Sequence, residues 1–188
     1  KAAGRDPDAP AAEQRYTEDR ALEAAAARGV RLGVAFHEAM ERVDLFASDG
    51  SEALVREVAT RHRLDPKSAG LLHAMVKNTL SSKLLDHARA SALSGRRVLR
   101  ELPFIRPQDS QTIEEGKMDL LFEAEDGWIL VDYKTDRIPE EAEDVKTVFT
   151  RKYAVQMREY VEALRDRSIR IKAACLLLAR TGDTVQME

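Results

Sequence analysis

Residues Gly116–Asp136 read GKMDLLFEAEDGWILVDYKTD, two alternating runs separated by a turn. In the first, Met118, Leu120, Phe122 and Ala124 alternate with Lys117, Asp119, Leu121 and Glu123, the period of a half-buried strand. In the second, Ile129, Val131 and Tyr133 take one face, and Trp128, Leu130, Asp132 and Lys134 the other. Glu125-Asp126-Gly127 between them carries the Asp-Gly signal of a type I′ hairpin, whose two central residues need positive φ. A two-residue loop at Asp126-Gly127 sets Asp119 opposite Lys134, and a four-residue loop sets it opposite Asp132. Either register brings Asp119, Asp132 and Lys134 to one face. A three-residue loop without a bulge turns Asp119 away, because a slip of one residue exchanges faces.

Downstream, Pro139 makes a polar entry into a helix from about Glu141 to Asp166, with Val148, Met157, Val161 and Leu164 as apolar anchors. Its Tyr153, Gln156 and Tyr160 are three and four apart and share one stripe. Ile169–Ala179 reads as a strand that is apolar on both faces in its second half, as a central strand is. Thr181-Gly182-Asp183 then turns into a last short strand, Thr184–Met187.

Upstream, Val98–Ile105 is a strand that ends near Pro107. Glu18–Arg63 is helical, with breaks at Arg28-Gly29 and Ser48-Asp49-Gly50-Ser51, so three helices are expected. In the second, Leu32, Phe36, Met40 and Val43 form an apolar stripe beside Gly33, His37, Glu41 and Asp44, which puts His37 at the edge of the buried face. Asp65-Pro66 reads as N-cap and first-turn proline of a helix carrying Leu71, Leu72, Met75, Val76 and Leu80. Ser82–Leu93 continues helically to Ser94-Gly95. The expectation is an α/β domain: a mixed sheet flanked by helices, residues 17–95 mainly helical and 96–188 the α/β core. Residues 1–16, rich in Ala, Pro and charge, read as a linker or disordered edge.

With 188 residues, 44% hydrophobic and 34% charged, the chain is sized for one domain with a real core. No apolar run approaches a membrane span and no signal-peptide pattern occurs, so no membrane partner and a cytoplasmic location are expected. Cys175, the single cysteine, sits in AACLLLA and reads as core, which excludes a disulfide framework and an iron–sulfur cluster. The net charge of −3 argues against a broad electrostatic grip on nucleic acid and leaves that task to local patches.

The chemistry follows from residue types. Carboxylate oxygens favour Mg²⁺ or Mn²⁺, and an added imidazole suits Mn²⁺. An ammonium beside them stabilises negative charge growing on a phosphate. His37 and Glu41 also fit an ordinary i,i+4 surface pair. Asp132 and Lys134 fit a surface ion pair, but Asp132 follows the Trp-Ile-Leu-Val run of a buried strand, where unpaired charge is costly.

The order His37 in GVAFH, Glu101 in ELPF, Asp119 in GKMD, Asp132 and Lys134 in DYKTD, and Gln156 and Tyr160 in QMREY resembles the RecB-type nucleases of the PD-(D/E)xK, or restriction-endonuclease-like, superfamily. The resemblance covers Arg31 to the C-terminus. It implies that His37, Asp119, Asp132 and the Tyr133 carbonyl hold a Mg²⁺ or Mn²⁺ ion and that Lys134 orients the attacking water. Gln156 and Tyr160 would position DNA or support the site, Glu101 would neighbour it, and Thr135 and Asp136 would shape the loop after the catalytic strand. The implied function is metal-dependent DNA hydrolysis by the exonuclease domain of a bacterial helicase–nuclease in double-strand-break repair, nucleoid-associated, with DNA and a helicase motor as partners. A nuclease-fold scaffold that no longer cuts and a stand-alone exonuclease are the alternatives.

Overall fold

The computed structural model describes residues 9–46, 51–107, 113–138 and 144–187, with side chains described within 23–46, 51–105, 115–138 and 144–187. The elements run α1 (Ala9–Arg42), α2 (Ser51–Arg61), α3 (Pro66–Leu80), α4 (Lys83–Leu93), β1 (Val98–Pro107), β2 (Ile113–Ala124), β3 (Gly127–Lys134), α5 (Val145–Arg165), β4 (Ile171–Leu178) and β5 (Asp183–Met187). The five strands form one sheet in the order β1-β2-β3-β4-β5. Pairing is antiparallel except between β3 and β4, which run parallel through the α5 crossover. The mixed sheet flanked by helices is as the sequence predicts.

Two apolar layers cover the sheet. Leu120, Phe122, Val131, Tyr133, Cys175 and Leu177 pack under α1–α4, whereas Leu121, Leu130, Leu176 and Leu178 meet Met157, Tyr160 and Leu164 of α5. The doubly apolar β4 is thus explained, since alternate residues enter different layers. Asp65 accepts the Ser68 N–H at 3.0 Å with Pro66 behind it, and Ser82 caps α4 through the Leu85 N–H.

Four expectations are corrected. Helix α1 spans Ala9–Arg42 and passes through Arg28-Gly29 without a break. One exposed glycine costs a helix only about 1 kcal/mol, and Ala24–Ala27 before it favour helix. Among the described residues two helices, not three, therefore lie before Arg63; the predicted break at 48–50 lies outside the described residues, as do Pro139 and Glu141. Helix α5 starts at Val145 behind the N-cap Asp144, and Val148, expected as an anchor, is exposed. The hairpin turns at Glu125-Asp126, with Ala124 paired to Gly127 and Glu123 to Trp128. Of these residues Gly127 alone has positive φ, at 147°, so the type I′ turn at Asp126-Gly127 is not formed. The register is nevertheless one of the two expected, and extended by one step beyond Leu120↔Val131 it sets Asp119 opposite Asp132.

The fourth correction concerns β2. Leu120 and Phe122 enter the layer under α1–α4, but Met118 joins Leu121 in the other. The partner strand β1 makes the same switch: Arg100 reaches the carbonyls of Val43 and Met40 on the helical side, while Leu102 packs on the α5 side. Between them Glu101 has φ 49°, a left-handed conformation that breaks strand alternation. Arg100 meanwhile supplies donors to carbonyls at the end of α1, which have no helical partner of their own.

Candidate active site

Among the described residues, Asp119 and Asp132 are the two buried carboxylates, 7% and 3% exposed. The fold explains how each is held. Pairing of β2 with β3 stops at Leu120↔Val131, and the Tyr133 N–H donates to Asp119 Oδ2 at 2.6 Å. The other oxygen, Oδ1, lies 2.9 Å from Nδ1 of His37, which leans in from α1. A ring contact with Phe36 and Tyr133 steadies the imidazole.

Asp132 is bound differently. Its Oδ2 lies 2.6 Å from Lys134 Nζ, yet the angle is not that of a hydrogen bond, so this buried oxygen has an ion-pair partner and no directed donor. Lys134 Nζ also donates to Gln156 Oε1 at 2.8 Å and sits 4.0 Å from the centre of the Tyr153 ring. Gln156 Nε2 donates to the Tyr160 hydroxyl at 2.8 Å, which in turn donates to the Lys117 carbonyl at 3.3 Å. The helical stripe of Tyr153, Gln156 and Tyr160 thus fixes the ammonium from the α5 side.

Glu101 enters through its strained backbone. Its carboxylate lies 3.6 Å from Lys117 Nζ, and one ligand atom each of His37, Glu101 and Asp119 lies within 4.8 Å of the others. Asp132 is outside that group. Glu41 is 3.9 Å from Lys117, not paired with His37.

The electrostatics express crowding. Burial, then the neighbouring Asp119, raises the pKa of Asp132 to about 6 against the opposing pull of Lys134. Burial and the charges of Asp119 and Glu41 raise that of Glu101. Burial alone would lower His37, but the hydrogen bond and charge of Asp119, with Asp132 and Glu101, outweigh it and raise the value. Asp132 and Glu101 are thus destabilised as anions, by burial first and then by the excess of neighbouring negative charge, and the imidazole is stabilised as a cation. An added divalent cation relieves that excess. Asp132 Oδ2, buried with no directed donor, fits such an ion, and the mixed carboxylate and imidazole donor set suits Mg²⁺ or Mn²⁺.

Tyr153 was visible in sequence only as part of a stripe. Its hydroxyl donates to Asp136 Oδ2 at 2.6 Å, and Lys152 pairs with the same carboxylate. Burial, then Asp136, pushes the phenol up to about 12. Asp136, two residues past Lys134, therefore ties the end of β3 to α5. The spacing of Asp136 from Lys134 and of Tyr153 from Gln156 was the available signal, but neither shows that the two pairs meet.

A family model described as the PD-(D/E)XK nuclease superfamily matches residues 11–186. An ATP-dependent helicase/nuclease subunit from Lysinibacillus sphaericus (strain C3-41) is 33% identical over 173 residues, 84% of this chain and 14% of that protein. The protein of the same description from Clostridium perfringens (strain SM101 / Type A) is 29% identical over 169 residues, 80% of this chain and 13% of its own length. The one from Thermoanaerobacter sp. (strain X514) is 27% identical over 151 residues, 71% and 12% respectively. The chain thus spans about one seventh or less of the length of these relatives.

Proposed function

The chain belongs to the PD-(D/E)XK nuclease superfamily, and we propose that it hydrolyses DNA phosphodiester bonds with a divalent metal, as the exonuclease domain of a helicase–nuclease in double-strand-break repair. The observation that carries this reading is the buried Asp132, its Oδ2 lacking a directed donor, set beside Lys134 on the strand next to Asp119. Buried charge that lacks directed hydrogen bonds is expensive and is kept where chemistry uses it. The relatives' names support a helicase motor and DNA as partners. No described helix is long and apolar enough to cross a membrane.

In this reading Asp119, Asp132, His37 and the Tyr133 carbonyl hold the ion, and Glu101 stands close enough to His37 and Asp119 to share it. When bound, the cation lowers the pKa of a water and offsets charge on the phosphate oxygens. Lys134 orients the attacking water and stabilises negative charge as it grows, with its ammonium aimed by Gln156 and Tyr153. His37 and the Tyr133 N–H fix the two oxygens of the Asp119 carboxylate, each of which keeps lone pairs for an ion.

The test is degradation of linear single- and double-stranded DNA with Mg²⁺ or Mn²⁺ by wild type, Asp132→Ala and Lys134→Ala. Cleavage by wild type alone is expected. DNA binding without cleavage at any metal concentration, even with a helicase partner supplied, would overturn the reading in favour of a scaffold.

A further inference from the structure

A basic cleft begins where the catalytic strand ends. It is about 840 Å³, bounded by α1, the start of α3 and the Thr135–Arg137 segment, and its lining includes Arg28, Lys67, Arg137 and Arg180. A second depression of about 270 Å³ adjoins it across Arg28, Asp65 and Ser68 and adds Arg31 and Arg63. Six cations therefore line a continuous surface on a chain whose net charge is −3. The two acids in the lining are already engaged. Asp65 accepts from the Ser68 backbone and hydroxyl, and Asp136 holds Lys152 and Tyr153.

Five of the six cations are not engaged. Arg28, Arg31, Arg63, Lys67 and Arg137 make no ion pair among the described residues, and Arg180 gives its Nε to the Thr135 carbonyl at 2.8 Å. Burial, with Arg137 close by, lowers the pKa of Arg180. Unneutralised cations gathered into a concave surface attract an anion of matching length.

The cleft also touches the site. Thr135 follows Lys134 directly, and Gly33 stands one helical turn before His37, so close to Thr135 that a Cβ on it would lie 3.3 Å from the threonine hydroxyl. Among the described residues the lining holds no aromatic ring on which bases could stack, so the grip falls on phosphates.

We propose that this cleft carries the sugar–phosphate backbone of a single DNA strand to or from the scissile position, without regard to base sequence. The inference rests on the nuclease reading for the identity of its ligand, but its test does not need cleavage. Binding of a short mixed-sequence fluorescent single strand is followed by anisotropy in EDTA across a salt series. Wild type is compared with Arg28→Ala/Lys67→Ala/Arg137→Ala, all exposed positions, and with Arg158→Ala/Arg165→Ala/Arg170→Ala on the α5 side.

Loss of three phosphate contacts raises Kd by about tenfold or more at low salt and flattens the log K against log salt slope by about 2. The α5-side variant keeps the wild-type Kd and slope, and changing base composition of the strand leaves both unchanged. Circular dichroism and melting of the cleft variant check that it is folded. Equal loss in the two triple variants, no loss in the first, or tighter binding of duplex than of single strand would overturn the cleft assignment. Failure of wild type to cleave with Mn²⁺ would count against the nuclease reading alone.

Discussion

Asp132 is held as an anion only against resistance from its surroundings, and that has a measurable consequence in the metal-free chain. Its folded pKa, about 6, lies above the ordinary unfolded value near 4. The folded state therefore binds more protons between those values, and stability falls as pH rises through them. The penalty is absent below about pH 4 and complete above about pH 6, where it amounts to a few kcal/mol. In EDTA, Asp132→Asn should melt higher than wild type at pH 8, and the gap should close toward pH 4. A variant that melts lower at pH 8 would show that the Lys134 pair outweighs the crowding. Lys134→Met keeps most of the stem but strands a buried carboxylate, so it should lower stability by about 3–5 kcal/mol and cleavage by about 10²–10³-fold. Urea melts and single-turnover rates check the two effects separately. At this scale much was legible: alternation offered Asp119, Asp132 and Lys134 to one face, and His37 followed from the family resemblance. Tyr153 was not, because its contact with Lys134 crosses from α5 to β3 and has no local pattern.

Strands β1 and β2 switch faces together at Glu101 and Asp119. The left-handed φ of 49° at Glu101 costs an L-residue roughly 1–2 kcal/mol, and it lets Arg100 cap α1 while Leu102 packs under α5. Glycine is normally poor in a strand, yet here Glu101→Gly should be more stable than Glu101→Ala by about 1 kcal/mol in urea unfolding. An alanine variant of equal or higher stability would argue that the kink relaxes. Both variants should lose activity, since neither restores the carboxylate beside His37 and Asp119. The turn at Gly182, φ 82°, is a second such point: a Cβ there would come within 2.9 Å of the Asn78 carbonyl, so Gly182→Ala should lower the melting temperature measurably. The hairpin register was one of two alternatives left open by the loop, and the sheet chose between them because Glu123 pairs with Trp128.

Taken whole, the molecule clamps its site between two layers: α1 brings His37 from one face and α5 brings Tyr153, Gln156 and Tyr160 from the other. An ion shared by such a clamp should stabilise the fold, by about 2.7 kcal/mol at a hundred times its Kd. Mn²⁺ is thus expected to raise the melting temperature of wild type and not of Asp119→Ala; an equal rise in both would place the ion elsewhere. The sequence by itself determined the α/β class, the strands and their two-faced apolar pattern and the Asp65 cap, because each is written in local periodicity or in short-range hydrogen bonding; the set of residues expected around the site came from the family resemblance. Only the tertiary structure decided that Met118 changes layers, that Tyr153 backs Lys134, and that Arg28, Arg31, Arg63, Lys67, Arg137 and Arg180 line adjoining depressions. Those outcomes depend on contacts between elements up to a hundred residues or more apart in the chain, as where Gly33 approaches Thr135, and local periodicity carries no information about which distant surfaces meet.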